Sequence, residues 1–208
     1  TLAAVKLAVV SGRRLDDLRQ KVGIDGIIYS GNHGLECKGP GIAFDPGIDE
    51  SLLNQLSEMA QGLRKEMAVF KGAEVEDKKY SVSVHYRNVS AADHDALLRA
   101  VKAVLMPYQQ ADGFVLTYGK MVAEIRLNTN WNKGKIVRWL LDRFPGTAPI
   151  YLGDDRTDED AFAVVRPLGL AVLVGEGQGD SQADFFLRDP AEVQKFLEFL
   201  YNRFNKDR

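Results

Sequence analysis

Two different apolar rhythms share this chain, and no single sheet can satisfy both. Toward the ends, short continuous runs stand before loops: "KLAVV" at 6–10, "GIIY" at 26–29, "PIYLG" at 149–153 and "LAVLV" at 170–174. Runs without alternation, set between helical patterns, belong to strands buried on both faces, which means a parallel sheet. "VKLAVVSGRRLDDLRQKVG" accordingly reads as a strand, a turn at Ser11-Gly12 and a helix to Gly23. "APIYLGDDRTDEDAFAVVRPLG" repeats strand, loop and helix, and "LAVLVGEGQG" adds a strand and a loop. The last helix is "DPAEVQKFLEFLYNRF", with Asp189 as N-cap and Pro190 at its first position. The middle of the chain is different. Tyr80, Val82 and Val84 alternate strictly with Ser81, Ser83 and His85, as in a strand with one buried face. "MAVFKGAEVEDKKYSVSVHYRN" holds two strands, "AADHDALLRAVKAVLMPY" a helix, and "DGFVLTYGKMVAEIRL" two strands joined at Tyr118-Gly119-Lys120. The fold predicted is α/β: a parallel-sheet core of residues 1–36 and 127–208, with an α+β module, 37–126, inserted into it.

Charge excludes some partners. The 208 residues carry a formal net charge of -2, so nothing draws the chain as a whole to nucleic acid or to a membrane surface. The single cysteine, Cys37, has no internal disulfide partner, which suits a reducing compartment. No apolar run approaches the roughly 20 residues of a membrane span, and no signal-peptide pattern opens the chain. A cytoplasmic location is expected.

In an open parallel sheet, ligands bind beyond the carboxyl ends of the strands. Three polar groups fall there: Ser11 after "KLAVV", Asn32 and His33 after "GIIY", and Asp154 and Asp155 after "PIYLG". Lys133 opens the helix "NKGKIVRWLLDRF", where backbone N–H groups favour an anion. A hydroxyl, a lysine and helix N-termini make a phosphate cradle, and carboxylates on the same rim suit a hard cation such as Mg²⁺. Asp154 is placed to hold that cation, with Asp155 and Asp158 near it. Thr157 is expected to cap the next helix, with Glu159 and Asp160 in its first turn. Taken singly, each feature has a plainer reading as a cap, a turn or a solvated charge. Their common position on one rim is what argues for a site.

In order, "VVSGR", "SGNHGLE", "EVEDKKYSVSVHYR", "AEIRLNTNWNKGKIV" and "YLGDDRTDEDAF" resemble the motifs of trehalose-6-phosphate phosphatases, Mg²⁺-dependent members of the haloacid dehalogenase superfamily. The resemblance covers essentially the whole chain. It implies a haloacid-dehalogenase-type core with a cap domain. It also implies that Ser11 binds the transferring phosphoryl group, that Lys133 neutralises it, and that Asp154 ligates the metal with Asp158 supporting the metal shell. Arg13, Asn32 and His33 would line the approach. Glu76, Lys78 and Glu124 match the cap's sugar-recognising groups, and His85 and Arg87 of "HYR" are further candidates. Leu127 stands where the family usually has proline. The family's first motif, Asp-x-Asp-Gly-Thr, with the nucleophile on the central strand, does not occur in these residues and is expected upstream of Thr1. The substrate implied is trehalose 6-phosphate. Another glycosyl phosphate, such as glucosylglycerol phosphate, and a non-catalytic sugar-phosphate-binding module, regulatory or fused to a trehalose-phosphate synthase, stay open.

Overall fold

The computed structural model describes residues 5–175 and 180–205. The loop after "LAVLV", residues 176–179, lies outside the described residues. The core holds two three-stranded sheets. In the first, β1 (Ala8–Val10) pairs in parallel with β2 (Ile28–Gly31), Val10 opposite Ser30. Helix α1 (Leu15–Val22) crosses between them and seats Leu15 and Leu18 on Tyr29. Gly23, at φ 64°, ends it by donating its N–H to the Arg19 carbonyl, a left-handed closure that glycine adopts without cost. Strand β3 (Glu36–Lys38) then adds antiparallel to β2, so this sheet is not wholly parallel.

The inserted unit follows. Helices α2 (Glu50–Met67) and α3 (His94–Leu105) cover one face of an antiparallel sheet ordered β4-β5-β7-β6. Its strands are β4 (Glu74–Asp77), β5 (Ser81–His85), β6 (Phe114–Gly119) and β7 (Val122–Leu127). The alternation read from the sequence is realised in β5. Val82 and Val84 are fully buried in a cluster with Leu63, Leu97, Val101 and Ile125, while Ser81 and Ser83 share the other face with Glu124.

The chain then returns to the core with α4 (Lys133–Arg143), β8 (Ile150–Gly153), α5 (Glu159–Val165), β9 (Leu170–Val174), β10 (Phe185–Leu187) and α6 (Pro190–Asn205). Strands β8, β9 and β10 form the second sheet, all parallel, in the order β10-β9-β8. Asp189 caps α6 as expected, accepting from the Glu192 N–H at 2.9 Å. Helix α4 joins the two sheets. Ile136 and Leu140 pack with Ile28 and Cys37 of the first, and Val137 packs with Phe162, Val165 and Ala171 on the second. Among the described residues, β1 and β8 each end their sheet and pair with no strand on the outer edge. A helix thus bridges the two sheets, and the carboxyl ends of their open edges face a common cleft.

Candidate active site

That cleft encloses about 810 Å³. Its core wall runs from Val10 to Arg14, past Lys133, to Leu152–Asp155; Glu76, Lys78, His85 and Glu124 reach it from the cap sheet. On the core side, the Ser11 hydroxyl accepts from the Arg13 N–H at 3.2 Å, which leaves its own proton free to donate. The loop is pinned at both neighbours: the Ser11 N–H donates to the Ser30 carbonyl (2.9 Å) and the His33 N–H to the Ser11 carbonyl (3.0 Å). Arg13 is exposed and paired with Asp17 at 3.1 Å. His33 lines the cleft with a positive φ of 56°. Burial chiefly holds its imidazole pKa below the ordinary value; Glu124 opposes this, and Lys133, Arg126 and Lys78 add to it.

Asp158 organises the other half. Its Oδ1 accepts from Lys133 Nζ (2.8 Å) and the Tyr151 hydroxyl (2.7 Å), and its Oδ2 from the Asp154 and Asp155 N–H groups (3.2 and 3.0 Å). Lys133 and Asp158 are both nearly fully buried, so the pair holds the ammonium at the cleft wall without a lone buried charge. Burial pushes the Asp158 carboxyl up, but Lys133, Tyr151 and the Asp155 N–H outweigh it and hold its pKa below the usual range. The same low-dielectric site raises the Tyr151 hydroxyl, chiefly by burial and then by the Asp158 charge. Two close approaches make this packing possible. A Cβ on Gly153 would stand 2.5 Å from Asp158 Cβ and Cγ, and one on Gly134 only 2.3 Å from the Asp160 carbonyl oxygen. Glycine at both lets α4, α5 and the β8 loop meet.

The cap contributes a polar face. Glu124 Oε1 accepts from Lys78 Nζ (3.1 Å), Ser81 Oγ (2.9 Å) and Ser83 Oγ (3.0 Å). Burial raises its carboxyl pKa, yet the Lys78 charge and the two hydroxyls hold it below the ordinary value. Glu76 lies 3.0 Å from His85 Nε2 and 3.7 Å from Lys78.

Several expectations need correction. Asp158 is not an open carboxylate on the rim: it accepts from four protein donors, one of them an ammonium, and two of these are the N–H groups of Asp154 and Asp155. Thr157 does not cap α5; its hydroxyl donates to Asp155 Oδ2 at 3.4 Å, and Asp155 itself closes a capping box with Asp158. Asn32 is only 4% exposed and does not line the cleft. Its Nδ2 donates to Glu36 Oε2 (2.8 Å) and to the Lys78 carbonyl (3.0 Å). Arg87 lies beyond the end of β5, exposed in a turn and outside the cleft. Sequence reading missed Tyr151, hidden in an apolar strand, and Ser81 and Ser83, although their side of the alternation marks them as a polar face.

The metal can be tested against these residues. Among the described residues no three His, Cys, Asp or Glu side chains stand close enough to hold an ion by themselves. The Asp154 carboxylate, at the end of β8, is exposed on the cleft rim and has no protein partner among the described residues. Mg²⁺ commonly takes one or two carboxylates, completing its shell with phosphate oxygens and water, so Asp154 fits as one ligand of such a site.

A largely parallel core with an antiparallel unit inserted above the strand ends is the architecture of haloacid-dehalogenase-like hydrolases. One such hydrolase from Bacteroides thetaiotaomicron superposes with a TM-score of 0.64 at 15% identity, over 94% of this chain and 86% of that one. A trehalose-6-phosphate phosphatase related protein superposes with a TM-score of 0.78 at 25% identity, over 97% of this chain and 82% of the other. The family model for trehalose-phosphatase matches residues 2–191, and the chain belongs to that family. It is similar to the trehalose-phosphate phosphatase of Mycobacterium tuberculosis, with 40% identity over 207 residues, 95% of this chain and 52% of the relative. The chain thus spans about half the length of the curated relatives it matches.

Proposed function

We propose that the protein containing this chain hydrolyses the phosphate monoester of a disaccharide, trehalose 6-phosphate, with Mg²⁺ and through an aspartyl-phosphate intermediate. The observation that carries this reading is the meeting, in one cleft, of phosphate-type groups below and hydroxyl-recognising groups above. Ser11 and Lys133 offer a donor and a fixed positive charge to a phosphoryl group. Glu124, Glu76 and Lys78 offer fixed acceptors and a donor to sugar hydroxyls, which a buried polar site discriminates strongly. Closing the cap over the core would exclude water and test the sugar.

Charge supports the metal. Four cationic side chains (Arg13, Arg14, Lys78, Lys133) and six carboxylates (Asp17, Glu76, Glu124, Asp154, Asp155, Asp158) line the cleft, which is therefore net negative before any phosphate enters. A dianion needs a further cation there, and when bound the ion would supply charge neutralisation to the phosphoryl oxygens. Asp154 would hold it. The nucleophile is assigned to a strand lying between β1 and β8, whose outer edges carry no ladder partner among the described residues. Such a strand would place its carboxyl end beside Ser11 and Asp154.

The test is phosphate release by the full-length protein from a panel of sugar phosphates with and without Mg²⁺. Trehalose 6-phosphate should be the preferred substrate, and Asp154→Asn should abolish Mg²⁺-dependent turnover while leaving thermal unfolding unchanged. Preference for another glycosyl phosphate would overturn the substrate; binding without turnover would overturn the reaction.

A further inference from the structure

Three side chains of the core reach one short turn of the cap, the link between β4 and β5. Arg14 Nη1 donates to the Asp77 carbonyl at 3.2 Å, Asn32 Nδ2 to the Lys78 carbonyl at 3.0 Å, and Glu36 Oε1 pairs with Lys79 Nζ at 3.7 Å. Glu36 ties Asn32 to the start of α1. Its Oε2 accepts from Asn32 Nδ2 (2.8 Å) and from the Leu15 N–H (3.3 Å), the start of α1, where Arg14 supplies no side-chain cap. Both partners of the Asn32 amide are acceptors, so its nitrogen must face them, and the orientation is fixed. The turn is itself rigid. Lys79 sits at φ 72° with its N–H held by Asp77 Oδ1 (3.0 Å), and the Lys78 N–H donates to the Ser81 carbonyl (2.8 Å). Lys78 therefore faces two ways: its carbonyl is tied to the core and its ammonium to Glu124 in the cleft.

We infer that Glu36 and Asn32 form a latch between core and cap. These are positioning residues: they fix Lys78 and, through it, Glu124 over the Ser11–Lys133 wall without touching substrate. The inference rests on the reading of the cleft as a sugar-phosphate site only for its kinetic consequence. The contact geometry stands apart from it. A latch of this kind makes substrate choice depend on cap closure, since the hydroxyl-recognising face is in register with the phosphoryl end only when the turn is docked.

Asn32→Gly is the decisive variant, because glycine adopts the observed φ of 49° and the backbone need not move. In full-length protein carrying paired spin labels on the exposed positions Arg19 and Lys120, the unmodified latch should give one short core–cap distance. Asn32→Gly should add a longer population. Its KM for trehalose 6-phosphate should rise about tenfold, the scale of one lost hydrogen bond, with kcat changed less than about twofold. Glu36→Gln keeps an acceptor for the Leu15 N–H but loses the charge facing Lys79, and should shift both readouts the same way by less. An unchanged distance distribution in Asn32→Gly overturns the latch. A changed distribution with unchanged KM, or a fall in kcat alone, overturns its role in positioning. If the parent protein turns over no sugar phosphate, the proposed function falls, and the distances still decide whether the latch exists.

Discussion

The cap and the core are held together by different means. In the cap, one continuous apolar cluster runs from Leu56 and Leu63 of α2 through Val82 and Val84 to Ile125, and the sheet closes with every inner strand paired on both sides. The core splits its apolar groups into three small clusters around Leu18, Ile136 and Phe162, and joins its two sheets by a helix. At the seam where α4 meets β8 the contacts on the cleft wall are polar: Lys133, Tyr151 and two backbone N–H groups converge on Asp158. The cap is thus one packing unit, joined by Leu35 and Trp131 from the core side, that carries a polar face. The core sets its four-donor contact on Asp158 in the wall of the cleft, where the chemistry would be.

This contrast can be broken by single substitutions. The largest effect is expected at the seam. Asp158→Ala leaves Lys133 buried without its partner and should destabilise the core by about 3–5 kcal/mol, read from urea unfolding. A loss below about 1 kcal/mol would mean that the seam is not held by its polar anchor. In the cap, Leu63→Ala removes a fully buried side chain and should cost about 3 kcal/mol through transfer and cavity terms, with no change in the core–cap distances. Tyr151→Phe removes one of four donors to Asp158 and should cost about 1 kcal/mol. A loss as large as that of Asp158→Ala would make the tyrosine, rather than the lysine, the main support of the seam.

The smallest effect is a slope with pH. The His33 pKa is lowered in the folded chain, so the unfolded chain binds more protons below about pH 6.5, and stability must fall as pH drops through that range. The depressed carboxyls of Glu124 and Asp158 lose their contributions at lower pH, beneath their ordinary values of 4.5 and 3.8. Urea midpoints at pH 7.5 and 5.5 therefore isolate the histidine. His33→Asn, which tolerates a positive φ, should flatten the difference. An equal slope in the variant would place the titrating group elsewhere.

Periodicity made the cap sheet legible: β5 alternates because one face is buried and the other is not, and that asymmetry is written residue by residue. The strand–loop–helix order at Ser11, Lys133 and Asp154 was readable for the same local reason. Helix α2 went unread although Leu56, Met59, Ala60, Leu63 and Met67 carry its stripe at helical spacing. The pairing of β3 with β2, the division of the core into two sheets and the contact of Asn32 with a carbonyl 46 residues away are long-range facts without local periodicity. At Asp158, spacing shows a carboxylate near the rim but not which donors occupy its oxygens.

Glu124 has one oxygen claimed by three donors and the other without a partner among the described residues. Such a side chain has already lost its rotational freedom before anything binds. A hydroxyl arriving at the open oxygen would meet a stationary acceptor, so little further entropy is surrendered at the moment of recognition, and the contact can be strong for its size. Ser81 and Ser83 never need to touch a ligand to matter; their contribution would be felt as the absence of a cost.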